Sequence, residues 1–100
     1  DSWANRVAVS GFVQDIPVNE SHPSWPALKK VEQGITQFRD RATLVIWGGL
    51  DFCFNDHFHQ EWLERLPNAE DLYLEDAGHY VLEDASNDVV PRIREHLLKD

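Results

Sequence analysis

Two residues with the chemistry of a general base and its orienting acid, His79 and Asp51, each follow an apolar stretch of this 100-residue chain. A histidine that accepts a proton becomes positively charged. A carboxylate on its other ring nitrogen fixes the tautomer and stabilises the imidazolium. Asp and His are also common in ordinary loops. Their types and spacing alone therefore leave two interpretations open, a catalytic pair and two unrelated loop residues.

Two predicted strands end shortly before these residues and would position them. The apolar run over about 42–47 is typical of a strand buried on both faces, and a second strand is predicted over about 70–75. Helical spacing of apolar residues predicts a helix between them, over about 57–66. Such a βαβ unit makes its strands parallel, so both end at the same edge of the sheet. Ligands bind beyond that edge in open α/β sheets, where we expect Asp51 to contact His79.

The rest of the chain completes an α/β fold class with two more helices. Apolar residues at helical spacing predict them over about 27–39 and 87–98. Pro91 is expected in the first turn of the last helix, and Asp56 is expected to cap the helix over 57–66.

The sequence predicts two parts, one irregular and one with regular secondary structure. Residues 1–26 carry three of the five prolines and are predicted to be irregular, although 3–9 fits a short helix or a strand equally well. Residues 27–100 are predicted to form one compact part.

Composition excludes several classes of protein. Eighteen acidic residues against nine basic ones give a net charge of −9, which disfavours binding of nucleic acid. No apolar run approaches the ~20 residues of a membrane-spanning helix. The single cysteine cannot form an intramolecular disulfide, which favours a reducing, cytoplasmic location. His22 and His96 are expected at the surface, and no cofactor is predicted.

Three stretches resemble the C-terminal portion of the α/β-hydrolase superfamily: Val45–Asp51, Trp62–Ala69 and Glu75–Ala85. They are most similar to the haloalkane-dehalogenase-like branch, which includes the β-lactone decarboxylases of olefin biosynthesis. The resemblance covers residues 41–98. Residues 12–17 more weakly resemble the return from that branch's helical cap, so 1–26 is interpreted as that return.

The resemblance implies a nucleophile–histidine–acid triad with the base at His79 and the acid at Asp51. The family's nucleophile lies on a strand-to-helix elbow, and no Gly-x-Ser-x-Gly or Gly-x-Asp-x-Gly motif occurs in this sequence. We therefore expect the N-terminal part of the same enzyme, or further copies in a homo-oligomer, as partner. The alternative is a non-catalytic fragment or subunit that completes another chain.

Other reactive residues have weaker cases. Phe52, Cys53 and Phe54 are expected to line a pocket for a small apolar substrate. Cys53 could be a nucleophile, but no second base is apparent for it. His57 and His59 could begin a metal site with Asp56, yet residues two apart on a helix diverge by about 200°. We predict no metal.

Overall fold

The computed structural model of the chain describes residues 2–99, which form two compact units that divide between Gly34 and Ile35. The predicted parts 1–26 and 27–100 place the division earlier, and they include residues 1 and 100, which lie outside the described residues. The predicted helix over 27–39 is divided by this boundary.

The first unit contains two helices, α1 over Trp3–Gln14 and α2 over Trp25–Gly34. The expectation of an irregular segment over 1–26 is wrong for α1. Ser2 caps this helix by accepting the Asn5 N–H at 3.2 Å, and no proline occurs before Pro17 to interrupt it. Neither helix has a buried residue.

The second unit begins with a short 3₁₀ helix, Ile35–Phe38, and contains the only sheet among the described residues. Strand β1 covers Leu44–Gly48 and strand β2 covers Glu70–Leu74, and the two are parallel, with Leu44 opposite Glu70. The predicted parallel pair and the α/β fold class are confirmed. Both strands end at the same edge of the sheet, as the βαβ unit requires.

Helix α3, Asp56–Arg65, connects the two strands. Its N-cap is Asn55, which accepts the His57 N–H at 3.1 Å, so the prediction that Asp56 is the cap is wrong. Asp56 is the first helical residue instead, and its carboxylate accepts a hydrogen bond from the Tyr73 hydroxyl at 2.8 Å. This bond ties the start of α3 to β2.

Two helices follow β2. Helix α4, Val81–Asp84, is a single turn that the sequence pattern did not predict, and α5 covers Ser86–Leu97. Because α5 begins at Ser86, Pro91 lies in its second turn, and the expected first-turn position is wrong. A proline there costs the helix one backbone hydrogen bond.

Charged side chains fix α5 against the sheet. Arg92 and Lys99 both bind the Glu70 carboxylate at the start of β2. These two contacts lower the pKa of Glu70, with Lys99 the larger cause. Val89 is the one fully buried residue of α5.

The hydrophobic core is small for the number of apolar residues. Four hydrophobic residues of the described chain are buried: Val45, Leu66, Ala77 and Val89. A two-stranded sheet leaves one edge of each strand without a partner strand among residues 2–99, whereas sheets usually have about 4–6 strands. No described helix has the length and apolar character needed to cross a bilayer.

Candidate active site

The loops that follow β1 and β2 are bonded to each other through their backbones. The Gly49 N–H donates to the Leu74 carbonyl at 2.8 Å, and the Leu50 N–H donates to the Ala77 carbonyl at 2.9 Å. Gly48 makes this approach possible, because a Cβ there would overlap the Gly78 carbonyl oxygen. The two loops are therefore held side by side at the carboxyl edge of the sheet.

This arrangement brings Asp51 and His79 into contact. The His79 Nδ1–H donates to Asp51 Oδ2 at 3.0 Å. The other carboxylate oxygen, Oδ1, accepts the backbone N–H groups of Cys53 at 2.9 Å and Phe54 at 2.8 Å. The loop backbone thus fixes the carboxylate, and the carboxylate fixes one nitrogen of the imidazole ring.

The surroundings keep Asp51 ionised. Burial by itself would raise the pKa of this carboxyl, but hydrogen bonds from the Phe54 amide and the His79 ring outweigh it and lower the pKa below the ordinary 3.8. The Asp51 side chain is 10% exposed and that of His79 is 37% exposed. The acid is therefore covered, while the histidine remains open on one side.

Aromatic rings flank the His79 imidazole. The Phe54 ring stacks on it with 5.7 Å between centroids, and the Tyr80 ring meets it edge-on at 5.3 Å. The preceding turn is fixed by Asp84, whose carboxylate accepts the Gly78 N–H at 2.8 Å. With Nδ1 engaged, Nε2 is the nitrogen of His79 that can exchange a proton with a reacting group.

The residues predicted to line a substrate pocket lie near this pair but do not enclose a cavity. Phe52 is 87% exposed, and Cys53 and Phe54 are also exposed. Their role in substrate binding stays a prediction, as do the catalytic roles of Asp51 and His79.

A second histidine–aspartate pair was missed by the sequence pattern. His59 is 3% exposed, and its Nε2 lies 2.8 Å from Asp71 Oδ1. Its ring stacks between Trp47 and Tyr73, which are opposite each other in the sheet, at 5.5 and 5.2 Å. The position of His59, three residues before Trp62 on α3, was the available signal that it faces the sheet.

The other histidines also differ in their surroundings. The His57 side chain is 74% exposed, so it does not share the environment of His59. His22 was expected at the surface and is partly exposed, with 15% of its side chain accessible; its Nδ1 accepts the Ser24 N–H and its Nε2 lies 3.6 Å from Asp15. His96 is also partly exposed, although its Nδ1 is buried without a hydrogen-bond partner among the described residues.

Two curated proteins are similar to this chain. Both are named cis-3-alkyl-4-alkyloxetan-2-one decarboxylase: that of Xanthomonas campestris pv. campestris is 40% identical over 97 residues, and that of Shewanella oneidensis is 38% identical over 94. The alignments cover 97% and 94% of this chain but 32% and 30% of the relatives. The chain therefore spans about a third of their length. An oxetan-2-one is a β-lactone, so the predicted similarity to β-lactone decarboxylases is confirmed.

No protein-family model matches the chain. No solved structure matches it either.

Proposed function

We propose that this chain is the C-terminal segment of an α/β-hydrolase-type enzyme that decarboxylates β-lactones, with His79 as its general base and Asp51 as the acid that orients it. The observation that carries the proposal is the 3.0 Å hydrogen bond from His79 Nδ1 to Asp51 Oδ2. It lies at the carboxyl edge of a parallel sheet, where α/β enzymes bind their ligands.

In this proposal each ring nitrogen of His79 has a separate task. Nδ1 keeps its proton because it donates to an ionised carboxylate, so Nε2 carries the lone pair that accepts a proton. When Nε2 takes a proton from water or from a reacting hydroxyl, the charge of Asp51 stabilises the imidazolium. Conversion of a β-lactone to an alkene and carbon dioxide consumes no water, so activation of water by His79 would belong to a dehalogenase-like alternative, the hydrolysis of an ester formed on the nucleophile.

The substrate class is proposed from the relatives and from the aromatic groups near the site. Both relatives are named for oxetan-2-ones that carry alkyl groups at positions 3 and 4. Phe52 and Phe54 offer apolar surface beside His79, which suits alkyl chains. The enzyme would therefore take a small lactone whose substituents are apolar.

The nucleophile is proposed to come from the remaining two thirds of the same polypeptide. The sequence contains no nucleophile elbow, and the two described strands form a sheet with open edges. Further strands would pair with those edges and cover exposed apolar side chains such as Leu50 and Leu97. By itself the 100-residue chain should not catalyse the reaction.

The open sheet also supports a second candidate function, a non-catalytic segment that completes another chain or a homo-oligomer. Such a segment would associate through the same open sheet edges, and its role would not depend on the His79–Asp51 pair. It predicts assembly without activity, whereas the first proposal predicts activity that depends on His79.

A chimaera tests the proposal. The matching third of the Xanthomonas campestris decarboxylase is replaced by this chain, and release of carbon dioxide from a cis-3,4-dialkyl oxetan-2-one is measured. We expect activity in the chimaera, and a loss of about a thousandfold or more in the His79→Ala variant because the base is removed. His57 is an exposed histidine of the same unit, so His57→Ala is the matched control and should keep full activity.

A folded chimaera without activity, or His79→Ala with undiminished activity, would contradict the catalytic proposal and favour the second candidate. Chloroalkanes and simple esters serve as comparison substrates. Turnover of either in preference to the lactone would overturn the proposed substrate class.

A further inference from the structure

A third side chain with metal-binding chemistry, Cys53, lies beside Asp51 and His79. One possible ligand atom from each of these three residues lies within 4.8 Å of the others, and no other such group occurs among residues 2–99. The backbone N–H of Cys53 donates to Asp51 Oδ1 at 2.9 Å, which holds the backbone of Cys53 beside the carboxylate. The cluster thus depends on the two bonded loops rather than on long flexible side chains.

The separations within the cluster are close to those of a tetrahedral zinc site. Zinc lies about 2.0–2.1 Å from nitrogen and oxygen ligands and about 2.3 Å from sulfur, so tetrahedral ligand atoms are about 3.3–3.6 Å apart. His79 Nδ1 and Asp51 Oδ2 are already 3.0 Å apart. Closing the three groups around an ion therefore requires side-chain movements of only about 1 Å.

We propose that Asp51, Cys53 and His79 bind one thiophilic divalent cation, with Zn²⁺ as the preferred ion. Thiolate and imidazole ligands favour Zn²⁺ over Mg²⁺ and Ca²⁺, which prefer oxygen. The three ligands leave a fourth position for water. The chain's net charge of −9 also favours the approach of a cation. The proposal departs from the sequence-based expectation of no metal, which rested on Asp56, His57 and His59, whose histidines lie in different environments.

The ion can enter from solvent without unfolding of the loops. Cys53 is exposed, and the His79 side chain is 37% exposed. Because the ion would occupy the space of the His79–Asp51 hydrogen bond, bound Zn²⁺ would inhibit any reaction that uses His79 as a base. Inhibition by Zn²⁺ rests on the proposed function, whereas binding of Zn²⁺ to the three side chains does not.

Binding is tested on the 100-residue chain with Co²⁺ as a spectroscopic probe for Zn²⁺. We expect one equivalent to bind with a thiolate-to-cobalt charge-transfer band, which Zn²⁺ abolishes by displacement and Mg²⁺ does not. Cys53→Ser should remove the band and weaken binding at least about tenfold, because a ligand is lost. His79→Ala and Asp51→Asn should each weaken binding by a similar factor. His57→Ala is the matched control and should bind like the unmodified chain.

Three results would overturn the site: no charge-transfer band in the unmodified chain, unchanged affinity in both Asp51→Asn and His79→Ala, or a loss in His57→Ala. Circular dichroism checks that each variant keeps its helix content. Cys53→Ser is nearly isosteric, and the amide oxygen of Asp51→Asn can still accept the loop N–H groups, so these two variants should stay folded.

Inhibition is tested on the decarboxylase chimaera. Zn²⁺ should inhibit it, and Cys53→Ser should raise the inhibitory concentration at least about tenfold. If Zn²⁺ inhibits the chimaera and its Cys53→Ser variant at the same concentration, the proposal that Zn²⁺ inhibits through this site is wrong. If the catalytic proposal fails, Co²⁺ binding to the isolated chain still reports on the metal site.

Discussion

Two histidine–aspartate pairs with similar hydrogen-bond lengths lie in the second unit, but their surroundings are opposite. His59 and Asp71 are 2.8 Å apart, and the histidine is enclosed by Trp47 and Tyr73. His79 and Asp51 are 3.0 Å apart, and the histidine opens to solvent at the edge of the sheet. The same two residue types thus form a buried pair in one place and a partly exposed pair in the other.

The difference arises from what holds each pair. His59 is fixed by the ring faces of β1 and β2 residues, so no substrate can reach its imidazole. His79 is fixed through a carboxylate that two loop amides hold, which leaves one ring nitrogen accessible. Hydrogen bonding alone therefore does not distinguish the two histidines, whereas the exposure of their side chains does.

The largest effect should come from Asp51→Asn in the decarboxylase chimaera. An amide can donate to Nδ1, which would move the proton to Nε2 and remove the base, as in serine proteases, where the equivalent change costs about 10⁴ in rate. We expect a loss of about a thousandfold in kcat with an unchanged urea midpoint. Asp71→Asn is the matched control, and a comparable loss of kcat there would erase the distinction between the pairs.

His59→Ala should instead affect stability. Removing a buried ring that stacks on Trp47 and Tyr73 leaves a cavity, and we expect a loss of about 2–4 kcal/mol in the free energy of unfolding. Urea denaturation of the 100-residue chain measures it. His79→Ala, by comparison, should cost less than about 1 kcal/mol because its ring is partly exposed. A loss in His59→Ala no larger than that in His79→Ala would contradict the assignment of His59 to packing.

Gly48→Ala tests the contact between the loops. The added Cβ would lie 2.6 Å from the Ala77 carbonyl oxygen, so the backbone must shift, at a cost of about 1–3 kcal/mol. The shift should separate His79 from Asp51 and leave His59 in place. Gly11→Ala is the control, since a Cβ there meets nothing within 4 Å and should stabilise α1. The His79 chemical shifts in NMR spectra check the separation.

The smallest expected effect is the change in the free energy of unfolding at low pH. The pKa of Glu70 is lowered from the ordinary 4.5 by Lys99 and Arg92, so its contribution to stability is complete above that value and is lost as the pH falls through the lowered pKa. Glu70→Gln should therefore be less stable than the unmodified chain at neutral pH and should lose less stability on acidification. Glu64→Gln, which removes the same charge from an exposed position of α3, is the matched control.

Much of the second unit could be predicted because its patterns are local. The apolar run before Gly48 and the chirality of βαβ units are enough to place Asp51 near His79. Helix α1 could not be predicted from the sequence pattern, because its apolar residues fit both a helical and a strand period. His59 was missed because its burial depends on two rings from separate strands, which no single stretch of sequence reveals.

The most direct test of the account is the protonation of the ring nitrogens of His79 and His59, measured by ¹⁵N NMR of the 100-residue chain near pH 8, where histidines are mostly neutral. The hydrogen bonds predict opposite tautomers, with the proton on Nδ1 in His79 and on Nε2 in His59. Asp51→Asn should move the proton of His79 to Nε2 and leave His59 unchanged. A His79 ring that carries its proton on Nε2 in the unmodified chain would contradict its assignment as a base oriented by Asp51.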